Sequence, residues 1–227
     1  MGIGLDWSIG MRHLFLFISL LGMSNFLPES CFCSEPSSDK VQLYFREDWK
    51  ESPEQIPVTQ EHVQNPNLIV TRHGPDGDSI KNSHHDTIPN DPWYVWSGSC
   101  EKGRWAISLR KKNAWVDLSQ NGKIRWRTKQ SGSHILKVVL ELSDGTWMIG
   151  EPGFGETPNW QVFEVELNIL HWRKLNMQTI EAGKPVKEPD LSRVRSIGWT
   201  DLMIGEGSPG CTRVDWIEVY GKPLLGS

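Results

Sequence analysis

The sequence predicts an all-β fold, an antiparallel two-sheet sandwich, and three observations lead to this prediction. From residue 93 onward, short segments that alternate apolar and polar residues follow one another, with turn residues between them, which is typical of a sandwich or barrel. Glycine and proline are plentiful, at 21 and 14 of 227 residues, and scattered, which favours many turns over long helices. Helical turns are expected only around residues 52–63 and 191–195.

Two early segments, VQLYFREDW from residue 41 and LIVTR from residue 68, predict the first strands. From residue 93 the predicted strands are WYVWSG, RWAISLR, AWVDLS, KIRWRTK, HILKVVLELSDGTWMIG, WQVFEVELN, HWRKLN, RVRSIGWTDL and TRVDWIEVYG. The fifth of these segments holds two strands joined at Asp144-Gly145, which is the strongest hairpin signal in the chain.

The alternation within a strand also predicts which side chains face the core. In KIRWRTK, Ile124 and Trp126 share one face. A basic row shares the other face and consists of Lys123, Arg125, Arg127 and Lys129. In VDWIEV, the same alternation places Asp215 and Glu218 on opposite faces of their strand.

The N-terminus predicts an export signal. Arg12 precedes the ten-residue apolar run LFLFISLLGM, which is too short to span a bilayer and suits the core of a signal peptide. Cleavage after Cys33 would remove residues 1–33 and give a secreted or periplasmic protein without a transmembrane segment. A lipoprotein anchored through Cys31 is the alternative, but the preceding residues PES match poorly the small apolar residues that such a site prefers.

Composition divides the rest of the chain into three regions. Residues 34–40 form a polar linker, residues 41–92 an N-terminal extension with a short strand and a long loop, and residues 93–223 the sandwich on which that extension packs. The net charge of −4 does not suggest nucleic acid as a partner, because nucleic-acid binding usually needs a basic surface.

Two cysteines, Cys100 and Cys211, follow the predicted cleavage site, and each precedes a predicted strand. An even number of cysteines in an oxidising compartment indicates a disulfide bond between them. The alternative is a pair of free, buried thiols, since free cysteine packs as a small hydrophobe.

Three stretches taken together resemble a known fold family. They are LSQNGKIRWRTKQSGSHILKVVLELSDGTW, NWQVFEVELNIL and LSRVRSIGWTDLMIGEGSPGCTRVDWIEVYG. Their order resembles the galactose-binding-like jelly-roll sandwiches, which include many carbohydrate-binding modules and the complex I intermediate-associated protein family. The resemblance covers residues 93–223 and implies a two-sheet jelly roll and, for the module branch, glycan binding.

The pattern of strands is also similar to that of secreted concanavalin-like sandwiches, which include glycoside hydrolases and the 3-keto-disaccharide hydrolase family. Laminarinase-type members carry a Glu-x-Asp-x-x-Glu strand, which places carboxylates on one face, where they act as the general acid and the nucleophile. The nearest stretch here, FEVELN, offers Glu164 and Glu166 without a third acid. Because this pattern departs from the Glu-x-Asp-x-x-Glu strand, the sequence supports the hydrolase alternative less well.

Tryptophan is abundant, at 12 of 227 residues, which is more than one modest core usually needs. Flat aromatic rings suit the apolar C–H faces of sugars, so several rings are candidate ligand platforms: Trp93, Tyr94, Trp96, Trp147 and Trp199. Arg125 and Arg127 of the basic row are candidates for binding an anionic polysaccharide, because arginine makes bidentate bonds to acidic groups. The alternative for this row is a solvated face that lies opposite Glu164 and Glu166.

The loop that contains NSHHDTIPNDP raises the question of a catalytic or metal site. His84, His85 and Asp86 are weak catalytic candidates, and no recognised metal-ligand spacing accompanies them. A polar loop that leads into the aromatic strand is therefore favoured. Earlier in the loop, Asp76 and Asp78 resemble part of a calcium loop without its distal glutamate. A simple Asp-Gly turn is favoured, and the jelly-roll resemblance keeps a structural calcium ion as the alternative; no other cofactor is expected.

Together these observations predict an exported, non-catalytic, carbohydrate-binding sandwich. One alternative is a secreted hydrolase that acts on glycosidic bonds, either a glycoside hydrolase or a 3-keto-disaccharide hydrolase-like enzyme. The other is a structural envelope protein without a small ligand. No Gly-x-Ser-x-Gly elbow or phosphate-binding glycine loop supports another class of enzyme.

Overall fold

The structure, a computed structural model, describes residues 40–97, 100–203 and 210–225. These residues form fourteen strands: β1 (Gln42–Glu47), β2 (Leu68–His73), β3 (Ile80–Ser83), β4 (Tyr94–Ser97), β5 (Ala106–Lys111), β6 (Ala114–Asp117), β7 (Lys123–Gln130), β8 (Lys137–Leu142), β9 (Trp147–Glu151), β10 (Gln161–Glu166), β11 (His171–Asn176), β12 (Glu181–Val186), β13 (Val194–Thr200) and β14 (Thr212–Leu225). They also form three single-turn 3-10 helices: Gln60–His62, Gly77–Ser79 and Leu167–Ile169. The predicted signal peptide, residues 1–33, and all of the linker except Lys40 lie outside the described residues.

The strands form two antiparallel sheets that share β14. Sheet A has the order β10–β7–β14, and the other edge of β14 pairs with β1 and with β4, beyond which lies β3. Sheet B has the order β2–β5–β13–β8–β9–β11–β12. The last residues of β14 pair with β6, which in turn pairs with β13 of sheet B. The predicted antiparallel two-sheet jelly-roll sandwich is confirmed.

The core lies between the two sheets, because each strand turns an apolar face inward. From sheet A, Ile124 and Trp126 of β7 are at most 2% exposed, as their alternation predicts. From sheet B, Trp199 of β13 is equally buried and meets Trp49 edge-on, with ring centroids 6.2 Å apart. Among the residues that the structure describes, no helix has the length and apolar character needed to cross a membrane.

The hairpin predicted at Asp144-Gly145 is confirmed, since β8 and β9 pair on either side of this turn. Gly145 has a φ of 81°, a left-handed conformation that glycine adopts without steric cost. The Asp144 carboxylate accepts the Thr146 amide at 2.8 Å and closes the turn. The residue types of the turn itself are therefore sufficient to predict this connection.

Residues 41–92 are part of the sandwich, which corrects the prediction of an extension packed on it. β1 pairs with β14, β2 with β5, and β3 with β4. β3 and β12 occur where the sequence predicts no strand, because β3 has only four residues and β12 reads EAGKPV, with too few apolar residues to show alternation. The helical turn expected at residues 191–195 is wrong, because β13 begins at Val194.

Cys100 and Cys211 are free thiols and each is 2% exposed, so the predicted disulfide bond is absent and the alternative of two buried thiols holds. Cys211 lies beside Ser131, whose hydroxyl accepts the Cys211 amide at 3.1 Å and lies 4.0 Å from its sulfur. Burial raises the pKa of Cys100 to about 12 and also raises the pKa of Cys211. Both groups are therefore protonated and unreactive near neutral pH.

We expect neither thiol to react with iodoacetamide in the native protein at about pH 8, because both are buried and protonated. Both should react after unfolding in urea without a reductant. Peptide mapping by mass spectrometry under non-reducing conditions measures modification at each cysteine. Recovery of a peptide pair linked through Cys100 and Cys211 would contradict the free-thiol state.

Gly198 in β13 lies so close to β5 that a side chain does not fit. A Cβ at this position would lie 1.9 Å from the Ile107 carbonyl oxygen and 2.7 Å from the Ser108 Cα. Gly198→Ala should therefore lower the free energy of unfolding by about 3 kcal/mol or more, as measured by urea denaturation. Gly155→Ala is the matched control, since no atom lies within 4 Å of its Cβ position. Equal denaturation midpoints for the two variants would contradict the close approach of β5 to Gly198.

Candidate functional site

The alternation of β7 directs its basic row onto the outer face of sheet A. Ile124, Trp126 and Thr128 are buried beneath this face, whereas the four cations of the row are partly exposed. Neighbouring strands add side chains to the same surface, which we call the sheet A face. It comprises Arg46 of β1, Tyr94 and Trp96 of β4, the row Lys123, Arg125, Arg127 and Lys129 of β7, Glu164 of β10, and Arg213, Asp215, Trp216, Glu218 and Tyr220 of β14.

A β-bulge in β14 brings two carboxylates onto the sheet A face. The register of β14 against β7 shifts between Val214 and Trp216, so Asp215 is the additional residue. A bulge opposes two residues to one and shifts the alternation that follows. Asp215 and Glu218 both bond arginines of this face, so the prediction that they lie on opposite faces is wrong.

Glu218 occupies the centre of the face, and its side chain is only 9% exposed. It accepts hydrogen bonds from Arg46 Nη1 at 2.5 Å and from Arg125 Nη1 at 3.0 Å. The Tyr220 hydroxyl donates a third hydrogen bond at 2.9 Å. Three donors from three strands therefore fix the position of this carboxylate.

Asp215 lies where the strand that neighbours β14 changes from β4 to β1. It lines a cleft of about 700 Å³ together with Asp48 and Trp93, and Arg127 Nη1 donates to it at 2.7 Å. Burial raises the pKa of Asp215, and the nearby Arg127 opposes that rise. The bulge thus places a largely buried, arginine-bound carboxylate at the side of an open cleft.

The other charges at the centre of the face are also paired. Glu164 lies 3.1 Å from Lys123 and 3.2 Å from Arg125, and Arg46 lies 2.5 Å from Asp48. Four cations therefore meet four carboxylates, namely Arg46, Lys123, Arg125 and Arg127 with Asp48, Glu164, Asp215 and Glu218. Three of the four cations of the basic row are therefore balanced by acids on adjacent strands, as the solvated-face alternative proposes, and Lys129 is the exception among the described ion pairs.

Aromatic rings lie among these charged groups. Trp216 is half-buried, and the guanidinium carbons of Arg46 and Arg125 lie 4.5 and 5.9 Å from its ring centroid. Trp160, in the loop before β10, lies 5.3 Å from the guanidinium carbon of Arg127 in the same manner. Arginines at these distances attract the ring electrostatically and hold it in place. The face therefore presents oriented apolar rings surrounded by hydrogen-bonding groups.

Three of the predicted aromatic residues lie at the end of this face formed by β3 and β4. Trp96 is partly exposed on the outer side of β4, whereas Tyr94 is 6% exposed and Val95 is fully buried. Trp93 precedes the strand and stacks on His84, with ring centroids 4.3 Å apart. The polar loop that the sequence predicts here thus leads into a strand that bears aromatic rings.

The other two predicted aromatic residues do not lie on the sheet A face. Trp199 is 2% exposed, so its ring is not available to a ligand and that prediction is wrong. The reason is that the side of β13 that carries Trp199 is covered by the opposite sheet. Trp147 is half-buried on β9 of sheet B, where its ring meets the His73 ring edge-on at 5.1 Å.

His84, His85 and Asp86 line a cleft of about 420 Å³ beside Trp96. His84 Nε2 lies 2.8 Å from Asp86, and His85 Nδ1 lies 3.1 Å from the Thr87 hydroxyl. Each histidine thus has a local partner within its own loop.

Glu164 and Glu166, the other weak catalytic candidates, do not join these histidines. Glu166 pairs in register with Lys123 at one end of β7. The opposite end, Lys129, lies across β14 from β4 and is six residues, or roughly 20 Å of extended strand, away from Lys123. The structure therefore does not assemble these residues into one catalytic group.

Asp76 and Asp78 bond to different partners. Asp76 is 1% exposed and accepts the Lys102 amide at 2.7 Å and the Ser79 hydroxyl. Asp78 is exposed and lies 3.2 Å from Arg72. Within the described ranges, no group of three or more His, Cys, Asp or Glu side chains is arranged to hold a metal ion. Asp76 closes its own turn, and the structural calcium ion stays a prediction.

Sequence reasoning missed three side chains of the site: Arg46, Trp160 and Trp216. For Trp216 a signal exists in TRVDWIEVY, where the buried residues Val214, Ile217 and Val219 are separated by three and then two positions. Such irregular spacing is typical of a bulge. Arg46 and Trp160 give no comparable signal, because they reach the site through strand pairings that are distant in sequence.

Comparisons with known proteins give distant similarities only. No protein-family model matches the chain, and no curated protein matches it. Among solved structures, the family 11 carbohydrate-binding module of the cellulosomal cellulase Lic26A-Cel5E of Clostridium thermocellum has a TM-score of 0.43 and 14% identity, over 78% of this chain and 97% of that one. CBM29_1, a family 29 carbohydrate-binding module from Piromyces equi, has a TM-score of 0.42 and 14% identity, over 80% and 90%. An exo-beta-agarase has a TM-score of 0.42 and 10% identity, over 72% of this chain and 24% of that one. Similarities this distant do not say what the chain binds.

Removing the central carboxylate should destabilise the protein. Glu218→Ala leaves Arg46 and Arg125 without their shared acceptor, so we expect a loss of about 1–3 kcal/mol in the free energy of unfolding. Urea denaturation measures this loss. Glu164→Ala is the control, because Glu164 is 45% exposed and exposed ion pairs contribute little. If both variants unfold with the parent's midpoint, Glu218 does not organise the face.

Proposed function

We propose that this protein binds carbohydrate on the sheet A face and does not cleave it. The observation that carries the proposal is the half-buried Trp216 ring, held by Arg46 and Arg125 on an otherwise polar sheet surface. A sugar ring has an apolar C–H face that packs on a flat aromatic ring. Its hydroxyl groups need donors and acceptors around that ring.

The charged groups around Trp216 suit the hydroxyls of a neutral sugar. Asp215 and Glu218 supply acceptors, while Arg125 and Arg127 supply donors, and charge-assisted hydrogen bonds are stronger than neutral ones. Because these charges balance one another, the centre of the face has no reason to prefer an acidic glycan. The anionic polysaccharide expected from the basic row therefore gains no support from these residues.

The extent of the face favours an oligosaccharide over a single sugar. It crosses four adjacent strands, β10, β7, β14 and β1, which at about 4.8 Å per strand amounts to roughly 14 Å. Exposed apolar side chains flank it, Val162 on β10 at 51% exposure and Leu43 on β1 at 48%. A glycan chain that runs across the strands would find apolar surface at Trp216 and at both edges of the face, with charged groups between them.

The bonding of the two carboxylates argues against hydrolysis. A glycosidase needs one carboxyl group to donate a proton to the leaving oxygen and another to act as base or nucleophile. Here Glu218 is held by three donors and Asp215 by Arg127. A secreted hydrolase is the alternative.

The N-terminal segment that predicts export supports an encounter with extracellular polysaccharide.

A tryptophan substitution tests this proposal. Trp216→Ala should raise the Kd for a neutral oligosaccharide by at least roughly fivefold, or about 1 kcal/mol, because the stacking surface is lost. The matched control is Trp115→Ala on β6. Its ring lies 5.0 and 5.8 Å from the guanidinium carbons of Arg193 and Arg195, so it has the same chemistry outside the sheet A face.

A glycan array selects the oligosaccharide, isothermal titration calorimetry gives the Kd values, and circular dichroism melting confirms that both variants fold. A parent protein that binds no glycan, or a Trp216 variant that binds like the parent, would refute the proposal. Release of reducing sugar by the parent protein would favour the hydrolase instead.

A further inference from the structure

We propose that the 420 Å³ cleft beside Trp96 is a second subsite, which takes an acidic group, a carboxylate or a sulfate, carried by the glycan on the sheet A face. This inference rests on the proposed function and adds a substituent to its ligand. The residues that matter are Lys81, His84, Tyr94, Trp96 and Arg213, all of which line the cleft.

Two cations at this end of the face lack the acidic partners that the others have. Arg213 of β14 pairs in register with Lys129 of β7. Among the residues that the structure describes, no carboxylate lies within ion-pair distance of either side chain. The ion pairing found at the centre of the face therefore ends at these two cations.

Two acidic side chains, Glu54 and Asp86, line the cleft, Asp91 lies beside it, and each of them bonds a group other than Arg213. Glu54 lies 2.6 Å from Lys81, Asp86 lies 2.8 Å from His84, and Asp91 accepts hydrogen bonds from the Trp160 indole and the His85 amide. The charge of Arg213 is consequently available to a ligand.

Arg213 and Trp96 lie next to each other in the register of β14 and β4, so a guanidinium group and an aromatic ring line the same cleft. The indole of Trp96 is fixed, because its Nε1 donates to the Ser83 hydroxyl at 2.8 Å. A guanidinium group matches the geometry of a carboxylate or sulfate with two parallel hydrogen bonds. A sugar packed on Trp96 can thus place its acidic substituent on Arg213.

The cleft is connected to the centre of the face by aromatic rings. Tyr94 lines the cleft, and its ring lies 5.3 Å from the Trp160 ring. Trp160 in turn lies 5.3 Å from the guanidinium carbon of Arg127. Tyr94 itself is 6% exposed, so its ring packs against Trp160, and a glycan would pass from Arg127 and Trp160 to Arg213 in the cleft.

The experiment compares three forms of one oligosaccharide: a uronate-containing form, its carboxyl-reduced neutral form and a sulfated form. The full-length parent protein should bind the uronate or the sulfated form roughly five- to tenfold more tightly than the neutral form, a difference typical of a partly exposed charge-assisted bond. Arg213→Gln should reduce that preference to about twofold or less, measured as the ratio of the two Kd values for the same variant. Lys129→Gln should reduce it in part, and rising salt should weaken it in the parent protein.

Arg110→Gln, on β5 of sheet B, serves as the control and should keep the parent's preference. A parent protein that binds all three forms equally, or an Arg213→Gln variant that melts like the parent and keeps the preference, would overturn the subsite. If the Arg213 variant fails to fold, Lys129→Gln and the salt dependence decide the question. Binding of the neutral form that depends on Trp216 but shows no acidic preference refutes this inference alone, whereas no binding of any form refutes the proposed function as well.

Discussion

The strand β14 is the constraint on which the rest of the structure depends. Its fourteen residues pair with β7, β1 and β4 in sheet A and then with β6, which leads to sheet B. One backbone ladder therefore connects both sheets of the sandwich. Because side chains alternate with a period of two, a shift of one residue along this strand changes the face of every side chain beyond it. The positions of core and surface residues in sheet A follow from where that shift occurs.

The bulge at Asp215 is this shift, and it couples the fold to the site. Beyond the bulge, Ile217 and Val219 point into the core, while Trp216, Glu218 and Tyr220 point outward. If alternation continued regularly through Asp215, Glu218 would face the core, where an uncompensated carboxylate is destabilising by several kcal/mol. The same feature lies at the change from β4 to β1, so it also opens the cleft beside Asp215. A single backbone irregularity thus satisfies the packing of the core and creates the surface that we assign to the ligand.

The ion pairs of the sheet A face are better explained by orientation than by stability. Pairs that are exposed at both ends contribute little to the free energy of unfolding, and only the largely buried Glu218 is expected to contribute more. Arg46 and Arg125, however, bond to Glu218 and also lie near the Trp216 ring, so the pairs hold the ring at a fixed angle. At Arg213 the acidic partners end, and a ligand can supply the missing charge. The distribution of charge over the face therefore separates a part that positions aromatic rings from a part that is free to bind an acidic group.

The sequence by itself determined the all-β class, most strands, the turn at Gly145 and the outward basic row of β7, because these features depend on residues within one strand or turn. Only the tertiary structure decided which aromatic rings are open, since Trp199 and Trp216 both lie in strands rich in apolar residues, and burial depends on whether the opposite sheet covers that side. It also decided that Lys123, Arg125 and Arg127 of the basic row are paired with acids and that Cys100 and Cys211 are free. Acids on β10 and β14 reach the basic row through strand pairings that no local pattern encodes. The same pairings place the two thiols, which lie over a hundred residues apart in sequence, where they do not bond.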